Sequence, residues 1–155
     1  GFAEADIIEM LNKLLILSSS DDIYSTMDLA MLDLVQGTAR FIKIGAPHSY
    51  LVGEGGMRKL RAGSLPMGIL EEYEPIFYEA KLQAEDTILM FTDGIADMED
   101  SDDALHAAIR RAGRLRNAQE AAEAILDAAK RAGGGVAGDD MTVLAARITR
   151  PVQKL

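Results

Sequence analysis

Two acidic corners hold the side chains best suited to chemistry. Asp93-Gly94 follows the apolar run Thr87-Ile88-Leu89-Met90 through Phe91-Thr92. Gly138-Asp139-Asp140 precedes Met141-Thr142 and the apolar run Val143-Leu144-Ala145-Ala146. Each corner sets a carboxylate at the end of what reads as a buried strand, beside a glycine that permits a tight turn. Short carboxylates held in this way suit hard divalent cations such as Mg2+ or Mn2+, which prefer oxygen ligands. Taken alone, Asp93 reads better as a turn residue satisfying local amides. The adjacent Asp139 and Asp140 repel each other unless a cation or hydrogen-bond donors compensate. Together the corners make the chain a candidate metal-dependent hydrolase.

Other reactive residues narrow the chemistry. Cysteine is absent, which excludes thiol nucleophiles, disulfides and thiolate metal sites and fits a cytosolic origin. His48 and His106 are the only histidines, and neither builds a Ser/His/Asp constellation. His106 reads as a surface or boundary residue of a helix, and His48 as the start of a strand. The acidic run from Asp97 to Asp103 is a poor calcium loop. Counted from Asp97, its sixth position is Asp102 where glycine is needed, and its twelfth is Ala108 where a glutamate is needed. Ser101, Asp102 and Asp103 instead read as a helix cap. Gly133-Gly134-Gly135 ends a helix rather than opening one, so it is no phosphate loop. The eight methionines read as packing.

The elements that position the corners follow from patterning. Ile7, Ile8, Leu11, Leu14 and Leu15 fall at helical spacing, with Glu9, Asn12 and Lys13 opposite. Ser18 to Asp22 breaks that helix. Strands are expected over Met27–Val35, Ala39–Ile44, His48–Val52, Met57–Arg61, Ile76–Leu82 and Thr87–Thr92, most of them in an antiparallel meander. The segment Ala62 to Gly68 is a partly apolar loop, folded over something. Helices are expected from Asp102 to Ala112 and, capped by Asn117, from Ala118 to Ala132. A last strand runs from Met141 to Ile148. The order of elements gives an α+β domain with mostly antiparallel sheet.

The 155 residues suffice for one domain with a substantial core. Hydrophobic residues make up 48% and charged residues 26%, as in a globular domain. No apolar stretch is long enough to span a bilayer, and the acidic opening Gly1 to Asp6 is no signal peptide. The net charge of -9 and pI near 4.7 argue against a nucleic-acid surface and against docking to an anionic membrane. A phosphorylated substrate stays open, because a bound metal reverses the local field.

With Asp93-Gly94 after an apolar strand, then helices, then Gly138-Asp139-Asp140-Met141-Thr142, the chain resembles the C-terminal part of the PPM (type 2C) metal-dependent serine/threonine phosphatases. Tyr24-Ser25-Thr26-Met27-Asp28-Leu29, Lys43-Ile44-Gly45-Ala46-Pro47 and Leu65-Pro66-Met67-Gly68-Ile69 bring it nearest to the stage II sporulation protein E branch. The resemblance implies two packed, mostly antiparallel sheets flanked by helices, with the N-terminal strands lacking here. It implies a domain portion over residues 1–149 and a tail over 150–155. It implies a dinuclear Mn2+ or Mg2+ site with Asp93 and Asp139 as catalytic metal ligands, and Gly94, Gly138 and Asp140 as turn or supporting residues. The implied reaction is hydrolysis of phosphoserine by a metal-bound water, with a small anti-anti-sigma factor in sporulation control as the substrate. The implied setting is the cytoplasm, as the cytosolic part of a membrane-anchored protein.

Two departures stand out. The family's first Asp-Gly, which bridges both metals, has no counterpart between Gly1 and Ser20, where Asp6 precedes isoleucine. The turn at Gly45-Ala46-Pro47-His48 lacks the aspartate that some relatives use for a third metal. An enzyme completed by upstream residues and a catalytically incomplete or regulatory binding module of the same fold therefore both stand. So does an unrelated acidic α+β domain. Open sheet edges would be covered by upstream residues or by a second copy, as a homodimer or a swapped pair.

Overall fold

The alternating and helical patterns resolve into four layers in a computed structural model, which describes residues 4–18, 23–61, 63–72, 75–99, 102–134 and 139–149. The expected tail at 150–155 and Gly138 lie outside the described residues. Helix α1 (Glu4–Ser18) covers a three-stranded sheet of order β1-β2-β5, built from β1 (Met27–Asp33), β2 (Thr38–Ile44) and β5 (Ile76–Lys81). Behind it lies a four-stranded sheet of order β4-β3-β6-β7. It is built from β3 (Ser49–Gly53), β4 (Gly56–Leu60), β6 (Thr87–Phe91) and β7 (Val143–Arg147). Helices α2 (Asp93–Glu99), α3 (Asp103–Ala112) and α4 (Ala118–Ala132) form the outer layer on that second sheet. Every pairing between named strands is antiparallel.

Side-chain alternation along each strand assigns its residues to layers. In β2, Ala39 and Phe41 enter the core between the sheets, whereas Ile42 and Ile44 pack under α1. In β6, Ile88 faces between the sheets, while Leu89 and Phe91 meet Leu105, Ile109 and Ile125 of the outer helices. Burying one such large apolar side chain contributes about 1.5–3 kcal/mol. Asp102 accepts from the amides of Ala104 and Leu105, and Asn117 from those of Gln119 and Glu120, so α3 and α4 begin capped. A cap of this kind contributes about 1 kcal/mol. Among the described residues no helix is long and apolar enough to cross a membrane.

Several expectations change. The meander holds only within hairpins β1–β2 and β3–β4, because the chain passes from one sheet to the other between Gly45 and His48. β1 stops at Asp33, whose Oδ1 accepts from the amides of Val35 and Gln36 in a turn that leaves Leu34 and Val35 exposed. The last strand is shorter than expected, Val143–Arg147. Asp102 is the N-cap of α3 rather than its first residue, and Ser101 lies outside the described residues.

Helix α1 buries a face turned from the expected one. Ile8 is buried and Leu11 and Leu15 pack beside it, but Ile7 and Leu14 are exposed and Asn12 is fully buried. The reason is polar. Asn12 Nδ2 donates to the Leu70 carbonyl at 2.8 Å, and its Oδ1 accepts from the Gly68 amide at 2.8 Å. That clamp is what the apolar loop around Met67 folds against. The loop also packs on Gly45 (φ +56°), where a Cβ would stand 2.7 Å from Pro66.

Candidate functional site

The antiparallel register brings the end of β6, the start of β7 and the start of β3 to one end of the second sheet. Phe91 pairs with Val143, and Tyr50 with Leu89. Both acidic corners therefore leave the sheet side by side. Asp93 is the first residue of α2, so the expected turn is a helix start, and three helices rather than two separate the corners. Asp139 and Asp140 lie in the segment that feeds β7.

Thr92 stitches the corners together. Its Oγ1 donates to the Asp140 carbonyl at 2.9 Å and accepts from the Thr142 amide at 2.9 Å. Its own amide donates to the Thr142 carbonyl at 3.2 Å. Gly94 lets them close. A Cβ there would stand 2.6 Å from the Asp140 carbonyl oxygen and 3.4 Å from the Asp139 Cβ. Asp93, Asp139 and Asp140 are all exposed. Asp93 Oδ1 accepts from the Gly94 amide at 3.0 Å, and Asp139 Oδ1 from the Asp140 amide at 2.7 Å. Each bond fixes its carboxylate and leaves Oδ2 as the atom that a cation could take.

The donor set fits a hard cation in part. Two fixed carboxylates from separate corners are the ligand type that Mg2+ and Mn2+ take. Among the described residues no third histidine, aspartate or glutamate is placed to complete a metal site with Asp93 and Asp139. Asp93-Gly94 is also the one Asp-Gly pair in the sequence. The corners thus offer two of the carboxylates that such a ligand set would need.

A second polar cluster lies behind the site, and sequence reading missed it. Glu99, the last residue of α2, is 4% exposed and meets His48, Tyr50, Lys59 and His106. The two histidines assigned to a strand start and a helix surface converge on one carboxylate. The contacts join residues 7 to 51 positions apart in sequence, so no local spacing announces them. Thr92 was more legible, since a hydroxyl residue directly before an acidic helix start is an N-cap signal.

The family model described as Stage II sporulation protein E (SpoIIE) matches residues 1–149. Stage II sporulation protein E of Priestia megaterium is 34% identical over 99% of this chain, and that of Bacillus subtilis (strain 168) is 30% identical over 99%. The chain spans only 27% and 19% of those two proteins. The solved PP2C phosphatase domain with a fragment of the regulatory domain of SpoIIE from Bacillus subtilis superimposes with a TM-score of 0.80. It is 31% identical and covers 96% of this chain and 46% of its own. The RsbU and RsbW domains of a Mycobacterium tuberculosis protein share the fold, with a TM-score of 0.75 at 22% identity, over 97% of this chain and 43% of theirs.

Proposed function

The chain belongs to the stage II sporulation protein E family, and on that premise we propose that residues 1–149 form the C-terminal portion of a PPM-type phosphatase domain that hydrolyses phosphoserine on a protein. The observation that supports this reading most directly is the contact between the acidic corners. Thr92 and Gly94, on either side of Asp93, pack against the Asp139-Asp140 corner although 46 positions separate Asp93 from Asp139 in the chain. Asp93 and Asp139 are the proposed ligands of a divalent ion, Mn2+ or Mg2+, and Asp140 supports the corner through its backbone. A bound divalent pair supplies an acidified water and offsets phosphoryl charge. The residues of this chain fix two of the carboxylates, and their exposure leaves room for a phosphorylated side chain of a protein. Family membership favours a small anti-anti-sigma factor as that protein.

The test is metal-dependent hydrolysis of a phosphoserine peptide by the full-length protein. Asp93→Ala and Asp139→Ala should each lower the Mn2+-dependent rate about 100-fold or more while leaving the fold intact. Wild-type rates in both variants would show that neither carboxylate is a ligand. Without metal, Asp139→Ala should melt at the wild-type temperature or above it, because the change removes carboxylate repulsion. A large loss there would assign Asp139 to a structural turn.

A second reading, a catalytically incomplete module that binds a phosphoprotein, is favoured by one observation. Among the described residues no third acidic or histidine side chain completes a metal site with Asp93 and Asp139. Under either reading the 155-residue chain alone should show at most weak Mn2+-dependent turnover. Robust turnover by it would overturn the account of the ligand set.

A further inference from the structure

Helix α2 begins at the proposed ligand Asp93 and ends at the buried carboxylate Glu99. The two are separated by roughly 9 Å of helical rise. Seven residues are too few to hold a helix in water without tertiary support. The buried face of α2 consists of Ile95, Ala96 and Glu99. With one large and one small apolar side chain beside it, Glu99 is the main polar anchor of the helix.

Groups from three neighbouring parts of the fold converge on that anchor. Tyr50 of β3 donates its hydroxyl to Oε1 at 2.8 Å, and His106 Nδ1 of α3 contacts the same oxygen. Lys59 Nζ of β4 donates to Oε2 at 3.1 Å. His48 Nε2, just before β3, lies 2.9 Å from Oε2, within ion-pair distance but outside hydrogen-bond geometry. Helix α4, also against α2, contributes Ala121, Ile125, Ala128 and Ala129 to this core, and its charged residues Glu120, Glu123, Asp127, Lys130 and Arg131 are exposed. The other acidic groups of α2, Asp93 and Asp97, are exposed. Burial opposes the charge of Glu99. Hydrogen bonds from His106, Tyr50 and Lys59, with the Lys59 charge, outweigh burial and hold its carboxyl below the ordinary value of 4.5. The Lys59 ammonium also makes the cluster unsuited to a metal ion.

The cluster connects directly to the acidic corner. The rings of His48 and Tyr50 stand edge-on at 5.3 Å, and each meets Phe91 edge-on, at 6.3 Å and 6.0 Å. Phe91 lies two residues before Asp93. We propose that Glu99 is a positioning residue: its carboxylate clamps α2 onto β3, β4 and α3, and so fixes Asp93 opposite Asp139. The consequence for metal binding rests on the reading of Asp93 as a ligand. The clamp itself does not.

The test compares wild type, Glu99→Gln, His106→Ala and an Asp93→Asn control in the full-length protein. Amide exchange in α2 is read relative to α4, and Mn2+ affinity by calorimetry. Glu99→Gln keeps the shape and loses the charge. It should speed α2 exchange about 10-fold relative to α4 and weaken Mn2+ binding about 10-fold. His106→Ala, which removes one half-exposed partner, should act in the same direction and less. The melting-temperature gap between wild type and Glu99→Gln should be full at pH 7. It should close as pH falls below 4.5 through the lower folded-state value, where the wild-type carboxyl is itself neutral. Unchanged α2 exchange in both variants would overturn the clamp. So would a lower melting temperature of equal size at every pH with unchanged Mn2+ affinity, the mark of a merely structural side chain. If Asp93→Asn leaves Mn2+ binding intact, the metal reading fails, and α2 exchange alone decides the role of Glu99.

Discussion

Lys43 carries its charge in the core between the sheets, with no solvent exposure. Its Nζ donates to Asp28 Oδ2 at 2.6 Å and to Ser49 Oγ at 2.8 Å, and the Ser49 hydroxyl donates to the same Oδ2 at 2.5 Å. An ion pair this deep need not stabilise the protein, because desolvation offsets attraction, but half of it is worse than none. Asp28→Ala should therefore cost about 3–5 kcal/mol in denaturant unfolding, by leaving a buried ammonium unpaired. Asp28→Leu with Lys43→Met should cost far less than the sum of the single changes, and additive losses would sink this account. Burial pushes the Lys43 amine below its ordinary 10.5, with Asp28 opposing. Between the folded value and 10.5 the unfolded chain binds more protons, so wild-type stability should gain from this group as pH rises through that window. The double variant should lack the gain. The sequence hid this pair for the reason it hid Glu99. Asp28 looks like the polar half of an alternating strand, and only the register Asp28↔Lys43 turns both side chains inward. The acidic corners were legible because glycine and strand pattern mark them locally. Their mutual contact was not, since it depends on pairing of β6 with β7.

At the scale of elements, α3 and α4 were legible from caps and apolar spacing, whereas α2 was not. Asp93–Glu99 is short, acidic and carries glycine at its second position, so intrinsic propensity argues against it. Tertiary contacts decide in its favour, and Gly94 is the point where the two influences meet. In a helix, alanine is favoured over glycine by about 1 kcal/mol. Here a Cβ would stand 2.6 Å from a backbone oxygen of Asp140, which cannot swing away as a side-chain tip could. Overpacking of this kind costs about 1–3 kcal/mol, so the clash should win. Gly94→Ala should lower the melting temperature and weaken Mn2+ binding about 10-fold by spreading the corners. A stabilised variant with wild-type affinity would show that the corners need no such close approach. Helix α1 teaches the same point from the opposite side. Its apolar spacing correctly gave a helix, but buried amide bonds from Asn12 to the Gly68–Leu70 backbone chose the face.

At the scale of the whole molecule, two surface properties oppose each other. Ile7, Met10, Leu14 and Leu17 of α1 are exposed, as are Ile23, Tyr24, Ile69 and Leu70. The last four lie in the segments that pack beside α1. Ser25 bridges to Met67, a Cβ on Gly68 would touch both Tyr24 and Leu15, and Asn12 binds the Leu70 carbonyl. Exposed apolar side chains at helical spacing along one helix favour burial against another surface. The net charge of -9 favours separation of two like copies. Salt changes only one of these opposing effects. The screening length shrinks from about 30 Å at 0.01 M to about 10 Å at 0.1 M, so repulsion between copies falls while apolar attraction persists. The 155-residue chain should therefore self-associate more strongly as salt rises, which sedimentation velocity at several concentrations would measure. Leu14→Glu with Leu17→Lys leaves the net charge unchanged and puts charges on the exposed face. That variant should stay monomeric at salt concentrations where the wild-type chain associates. Association that weakens with salt, or that survives the double change, would place the contact on a charged or different surface and free the α1 face from this role.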